Sequence, residues 1–207
     1  MSSHAAKKHP SLLSRITAGL TVLGALLFLS GAVLLGLIYF PVVSEEVRYA
    51  VSSPQKNTIQ TITPVDKEFG IVIPKIGANA KVIANVNPVN VREYQIALTH
   101  GVAHARGSAL PNQTGNIFIF AHSAGNFYEA NQFNAVFYLL DKLKKDDETY
   151  LFYQKNRFKY KVSEKKLVDA TAVNFLSRNG PDKTLTLMTC WPPGTTLKRL
   201  LVKATLE

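Results

Sequence analysis

The stretch Leu185-Thr-Leu-Met-Thr-Cys190-Trp-Pro-Pro-Gly194-Thr-Thr-Leu-Lys-Arg199-Leu-Leu-Val202 carries the residue types best suited to chemistry. It holds the chain's single cysteine at the end of an apolar, β-prone run. Thr184 to Thr189 alternates Thr with apolar residues at the period of two expected of a half-buried strand. Pro192, Pro193 and Gly194 cannot continue a central strand, so the chain turns there. Arg199 to Lys203 reads as the returning strand. Cys190 then sits at one strand's mouth with Arg199 on the neighbour. A guanidinium beside a sulfur favours the thiolate, which is the nucleophile. It also steadies the oxyanion formed when sulfur attacks a carbonyl. The competing readings are a small buried hydrophobe for the cysteine and a solvated strand-end charge for the arginine.

A cysteine nucleophile that expels an amine needs a proton donor, usually histidine. Of the five histidines, His4 and His9 precede an apolar N-terminal segment whose topology excludes them. His122 follows the apolar run Asn116–Phe120 and opens the small-residue sequence Ala121-His-Ser-Ala-Gly125. A strand end leading into such a loop leaves room for a peptide backbone, so position ranks His122 first. His100 and His104 lie in or beside the Gly/Ala/Ser/Pro-rich segment Gly101–Gln113 and read as exposed polar residues.

The elements that must position these groups follow from the hydropathy pattern. Ile16 to Phe40 contains no charge and, at about 1.5 Å per residue, makes a helix roughly 37 Å long. That spans a ~30 Å hydrocarbon core with some tilt and exceeds the 7–15 residues usual for a secretory apolar region. Lys7, Lys8 and Arg15 precede it, and Glu45 and Glu46 follow. The positive-inside rule therefore keeps the N-terminus cytoplasmic and puts Val42 onward outside. The organisation expected is a tail at 1–15, a membrane-spanning signal anchor at 16–40, a linker at 41–60 and a folded domain at 61–207.

Within that domain, short strands are expected at Gly70–Pro74 (an edge, because of Pro74), Lys81–Ala84 and Asn116–Phe120. Ile96–Thr99 leads into a loop. Phe127–Leu143 is the best soluble helix candidate. Thr149–Tyr153 and Phe158–Val162 flank Gln-Lys-Asn-Arg as a hairpin, and Val168–Val173 is a further strand. Seven or eight short strands with one or two helices favour a mixed or closed β-barrel over a parallel α/β sheet.

Composition narrows the function. The net charge is +10 and 46% of residues are hydrophobic, enough for a real core. No basic helix with interleaved aromatics appears, which argues against nucleic acid as a partner. One cysteine excludes an internal disulfide and a cysteine-based zinc site. No metal or organic cofactor is called for. Asp146, Asp147, Glu148, Glu164 and Asp169 could meet around calcium, but a solvated hairpin explains them more simply.

Taken together, these residues resemble the sortases, cysteine transpeptidases of bacterial cell surfaces. The resemblance lies in Thr-Leu-Met-Thr-Cys190, Pro192, Gly194 and Arg199-Leu-Leu-Val202, with the arginine nine residues after the cysteine as in the class C, D and E branches. Asn116-Ile-Phe-Ile-Phe-Ala-His122-Ser123 is similar to the family's strand-plus-histidine segment. Gly101-Val-Ala-His with Ser108-Ala-Leu-Pro111, and Ile73-Pro-Lys-Ile76, are similar to stretches before it. The resemblance covers about residues 69–203. It implies a mainly β fold, an eight-stranded barrel with one or two short helices, on which His122, Cys190 and Arg199 converge at one end of a groove. Ser123, Thr189 and Trp191 are the neighbours expected to contact substrate. Ala121 stands where many relatives carry glycine. Neither an Asp-Pro-aromatic lid motif nor a second, C-terminal membrane helix is found, so the expectation is anchoring or trimming of single proteins rather than pilin polymerisation.

The implied chemistry is acyl transfer at a single-pass protein of the bacterial plasma membrane, held in the bilayer by residues 16–40. Cys190 attacks an LPxTG-like sorting signal, and the thioester passes to an amine of a cell-wall precursor or a protein lysine. Two alternatives stand beside it. An L,D-transpeptidase-type enzyme expects Gly directly before the cysteine and Arg two after, where this chain has Thr189 and Pro192. A membrane-tethered, non-catalytic binding module would carry an inert thiol.

Overall fold

The computed structural model describes residues 12–51, 63–122, 136–171, 180–193 and 195–207. The chain divides into two compact units, Met1–Ser44 and Glu45–Glu207. One long helix, α1, runs from Leu12 to Val51 and continues through position 41. Its stretch Ile16–Gly36 has a mean hydropathy of 2.2 over 21 residues and is long and apolar enough to cross a membrane. Leu20, Leu23, Leu27 and Phe28 within it are all exposed.

The second unit is an eight-stranded closed barrel: β1 (Phe69–Ile73), β2 (Ala78–Val86), β3 (Val102–Ala105), β4 (Gly115–Phe120), β5 (Glu148–Tyr153), β6 (Asn156–Asp169), β7 (Lys183–Trp191) and β8 (Lys198–Leu206). Around the wall they run β1-β2-β3-β4-β7-β8-β6-β5 and return to β1. Two neighbouring pairs are parallel, β2 with β3 and β4 with β7. Parallel neighbours need a crossover, since a hairpin can join only antiparallel strands. Helix α2 (Val91–Leu98) lies in the first crossover, and the β5–β6 hairpin lies in the second. The all-apolar sequence of β1, buried at every position, is the consequence of a strand paired on both sides in a closed wall.

Several expected elements are found in altered form. β1 is not an edge; Pro74 instead opens a 3-10 turn, Pro74–Ile76, where its missing N–H is not needed. Lys81–Ala84 is the middle of the longer β2. Ile96–Thr99 belongs to the end of α2, which Asn90 caps by accepting from Glu93 N at 3.2 Å. β3 lies inside the stretch read as a loop. Of Phe127–Leu143, residues 127–135 lie outside the described residues, and the remainder forms a 3-10 turn, Tyr138–Lys142. Its apolar spacing is used to bury Phe137, Leu139, Leu140 and Leu143 in the core.

The hairpin turns on Gln154 and Lys155, both at positive φ (49° and 66°), so that Tyr153 faces Asn156 as in a two-residue turn. Val168 closes the 14-residue β6 rather than starting another strand; of the expected Val168–Val173, residues 172–173 lie outside the described residues. A register shift between Val162 and Glu164 lets β6 leave β5 and follow β8. Gly101 permits β3 to approach β2, since a Cβ there would sit 2.3 Å from Lys81 O.

Candidate active site

β7 is the central strand of the site. The strand predicted over Thr184–Thr189 is found and continues through Cys190 to Trp191. Leu185, Leu187 and Thr189 point into the barrel at 0–2% exposure. Thr184, Thr186, Met188 and Cys190 therefore share the opposite, outer face. β8 pairs antiparallel with β7 and sets Arg199 directly across from Cys190. Directly opposed residues in an antiparallel ladder point to the same side, so the guanidinium and the thiol share the outer face. On the other flank, β4 runs parallel to β7 with Phe120 level with Met188. Ala121 N–H extends that ladder to Met188 O at 3.1 Å. His122 follows Phe120 by two residues, just past the end of β4. Across the wall the order is thus β4 with His122 just past its end, β7 with Cys190, and β8 with Arg199.

Each group is partly open. Cys190 is half-buried and is the chain's one free thiol. Arg199 is half-buried, with Nη1 donating to the carbonyls of Thr196 and Lys198 at 3.1 Å each. These bonds tie the guanidinium to the β7–β8 connection. His122 is half-buried at the point where the described part of the loop ends.

The three expected substrate contacts have different fates. Ser123 lies outside the described residues. Thr189 is 2% exposed and faces inward; its hydroxyl donates to Ala121 O at 3.0 Å, bracing the residue before His122. Trp191, next to Cys190 in a pleated strand, points the opposite way and packs partly against the core. Gly194 also lies outside the described residues, whereas Thr195 folds its N–H and its hydroxyl back onto Pro192 O, at 3.0 and 2.8 Å, closing the turn.

Behind the reactive end, the outer face of β4 and β7 is a mixed floor. Asn116 Oδ1 accepts from Thr184 and Thr186 hydroxyls at 3.1 and 2.8 Å, locking the two parallel strands together. Helix α2 lays Tyr94 edge-on against Phe120, centroids 6.3 Å apart, and so forms a wall beside β4. Sequence reading missed this wall, although Asn90-Val-Arg-Glu93 is a helix-start signature that could have located it. It also misread His104, which is not an exposed loop residue but 3% exposed on β3. Burial holds its pKa below the ordinary 6.5, partly offset by its bond to the Ala109 carbonyl.

Among the described residues no three His, Cys, Asp or Glu side chains come together in a way that could hold a metal. Asp147 pairs with Lys75 at 2.7 Å, Glu148 with Lys159 at 2.9 Å and Glu164 with Lys166 at 2.6 Å.

Residues 71–207 match the family model described as a Sortase domain. Sortase A of Listeria monocytogenes is 29% identical over 137 residues, which is 66% of this chain and 55% of that protein, so the chain spans about half the length of this curated relative. Among solved structures, a sortase D5 transpeptidase of Clostridium perfringens superposes with a TM-score of 0.55 at 25% identity, covering 83% of this chain and 99% of that one. The L. monocytogenes sortase A structure gives a TM-score of 0.54 at 28% identity, covering 69% and 88%.

Proposed function

The chain belongs to the sortase family, and from that membership we propose that it is a membrane-anchored cysteine transpeptidase that cleaves an LPxTG-like sorting signal and transfers the acyl product to an amine of the cell envelope. The observation that carries the reading is the register. Cys190 stands opposite Arg199 on β8, and His122 follows the end of β4, the strand on the other side of β7.

The reaction follows from those placements. The Cys190 sulfur attacks the carbonyl carbon of the signal's Thr (or its equivalent). The carbonyl oxygen becomes an oxyanion, which Arg199 and backbone N–H groups stabilise. The C–N bond to Gly breaks, and protonated His122 gives its proton to the leaving amine. A thioester remains on Cys190. An incoming amine attacks it, His122 takes the proton from that amine, and the thiolate departs. Such splitting of one step into two is the general logic of covalent catalysis. The apolar helix stretch Ile16–Gly36 supports a single-pass anchor; the preceding Lys7, Lys8 and Arg15 support a cytoplasmic N-terminus with the barrel outside. Substrate chains in this reading are surface proteins bearing the signal, and the acceptor is a cell-wall precursor amine or a lysine.

The test is cleavage of an LPxTG-type peptide with capture of the thioester on Cys190. Cys190→Ala is expected to abolish both, and unchanged turnover would remove the nucleophile assignment. If the protein is instead an inert tethered module, a thiol-reactive probe will label Cys190 no faster than a model thiol.

A further inference from the structure

A second polar cluster surrounds His104, and it touches the strand that delivers His122. His104 is paired in register with Ile119 and so points into the barrel. Asn85, held at φ 59° where the β2–β3 register shifts, donates its N–H to His104 Nδ1 at 3.3 Å. Nδ1 is therefore an acceptor, and the proton of the neutral ring lies on Nε2. Nε2 stands 3.0 Å from Ala109 O and 2.8 Å from Ser108 Oγ. Ser108, 7% exposed, donates its hydroxyl to Ala105 O at 2.8 Å and accepts from Phe118 N–H at 3.2 Å.

The bond to Phe118 matters because β3 pairs with β4 at only two positions, Ala103 with Phe120 and His104 with Ile119. Toward the start of β4 the connecting loop takes over that edge. Ser108 Oγ receives Phe118 N–H, and Ala109 N–H reaches Asn116 O at 2.9 Å. Part of the side of β4 remote from β7 thus rests on a hydroxyl that stands within hydrogen-bond distance of the imidazole.

We propose that His104, as its neutral Nε2–H tautomer, is a positioning residue for the transfer reaction: through Ser108 it fixes the outer edge of β4 and hence the setting of His122 against Cys190. The inference rests on the transpeptidase reading above. The ring's surroundings favour the neutral form. β1 presents the Phe69 ring at 5.6 Å, β2 the Asn85 backbone, and β4 apolar Ile119. The charged groups nearby are engaged with one another: Arg106 with Glu93 of α2 at 2.6 Å, and Lys81 of β2 with Asp66 at 3.4 Å. A proton on Nδ1 would confront the Asn85 N–H, donor against donor.

The experiment compares Ser108→Ala and Ser108→Thr in the full chain by peptide kinetics and by the pH profile of alkylation of Cys190, the chain's one cysteine. The Ala variant is expected to keep a folded spectrum, lose about tenfold in kcat with little change in KM, and move the alkylation midpoint by about half a unit. The Thr variant restores both. Wild-type kcat and an unmoved profile in folded Ser108→Ala, with only the melting temperature lowered, would overturn the proposal. Should the wild-type chain fail to turn over the peptide, the transpeptidase reading falls and the alkylation profile alone decides the positioning role. Should the Ala variant fail to fold, the 15N spectrum of the wild-type ring decides: Nε2–H from about pH 6 to 8 supports the assignment, and Nδ1–H or a charged ring refutes it.

Discussion

Replacing Arg199 with Lys keeps a positive charge and removes a planar fork, and the geometry sets how much that should cost. Both hydrogens of Nη1 are directed to carbonyl oxygens, Thr196 O and Lys198 O, each 3.1 Å away. The guanidinium retains Nε–H and two Nη2 hydrogens, on the face it shares with Cys190. A lysine ammonium has three hydrogens on a single atom. If the same two carbonyls take two of them, one remains, on a side chain that cannot present parallel donors. Loss of one well-aimed oxyanion donor typically costs about 10²–10³ in kcat, or roughly 2.7–4 kcal/mol of transition-state stabilisation. The expected result for Arg199→Lys is therefore a kcat reduced by about two orders of magnitude with KM little changed, because the contact is made to charge that exists only in the transition state. Single-turnover cleavage of a labelled sorting peptide, read alongside Cys190 alkylation, measures this. Alkylation should stay near the wild-type rate because the charge is kept. A wild-type kcat, or a loss confined to KM, would refute the reasoning and assign the oxyanion role elsewhere.

Three other outcomes are expected. Tyr160 is fully buried, and its hydroxyl, like that of its register partner Thr149, has no hydrogen-bond partner among the described residues; Tyr160→Phe should stabilise the barrel by about 1 kcal/mol and raise its melting temperature by about 2–4 °C, whereas a fall would mean that the hydroxyl is satisfied. Thr189→Val removes the bond to Ala121 O and should cost about 1 kcal/mol in urea unfolding while lowering kcat, since Ala121 adjoins His122; a variant equal to wild type in both would show that the brace is idle. Folding stability should also depend on pH through His104, whose pKa burial holds below 6.5. Above 6.5 neither state is protonated there; below it the unfolded chain takes up a proton that the folded chain resists, so stability is lost as pH falls. Urea midpoints that decline from pH 7 to pH 5 in the wild-type chain, with a shallower decline in His104→Gln, check this; equal slopes count against it.

Much of the site was legible locally. Cys190 and Arg199 are nine residues apart in one strand–turn–strand unit, and the Pro-Pro break places them on neighbouring strands, where the register sets them face to face. His122 stands out because a strong strand ends just before it. The elements misread are those whose identity depends on distant partners. β3 has only four residues and sits in a Gly/Ala-rich segment; it is a strand because β2 and β4 flank it. His104 reads as polar and exposed until Asn85, Ser108 and Ala109 arrive to satisfy its ring. Thr189 and Trp191 adjoin Cys190 in sequence, but neighbours along a strand point to opposite faces, and only closure of the barrel decides which face is inside.

The sequence by itself determined the chemistry available: one sulfur, one guanidinium on the adjoining strand, an imidazole at a strand end and an apolar segment long enough to span a bilayer. The tertiary structure decided which strands lie beside the one that ends at Cys190 and Trp191. That choice depends on the parallel β4–β7 ladder, whose partners lie 68 residues apart (Phe120 with Met188). No local periodicity encodes such a pairing; parallel neighbours need a crossover, and the inward apolar side chains of both strands then close a common core.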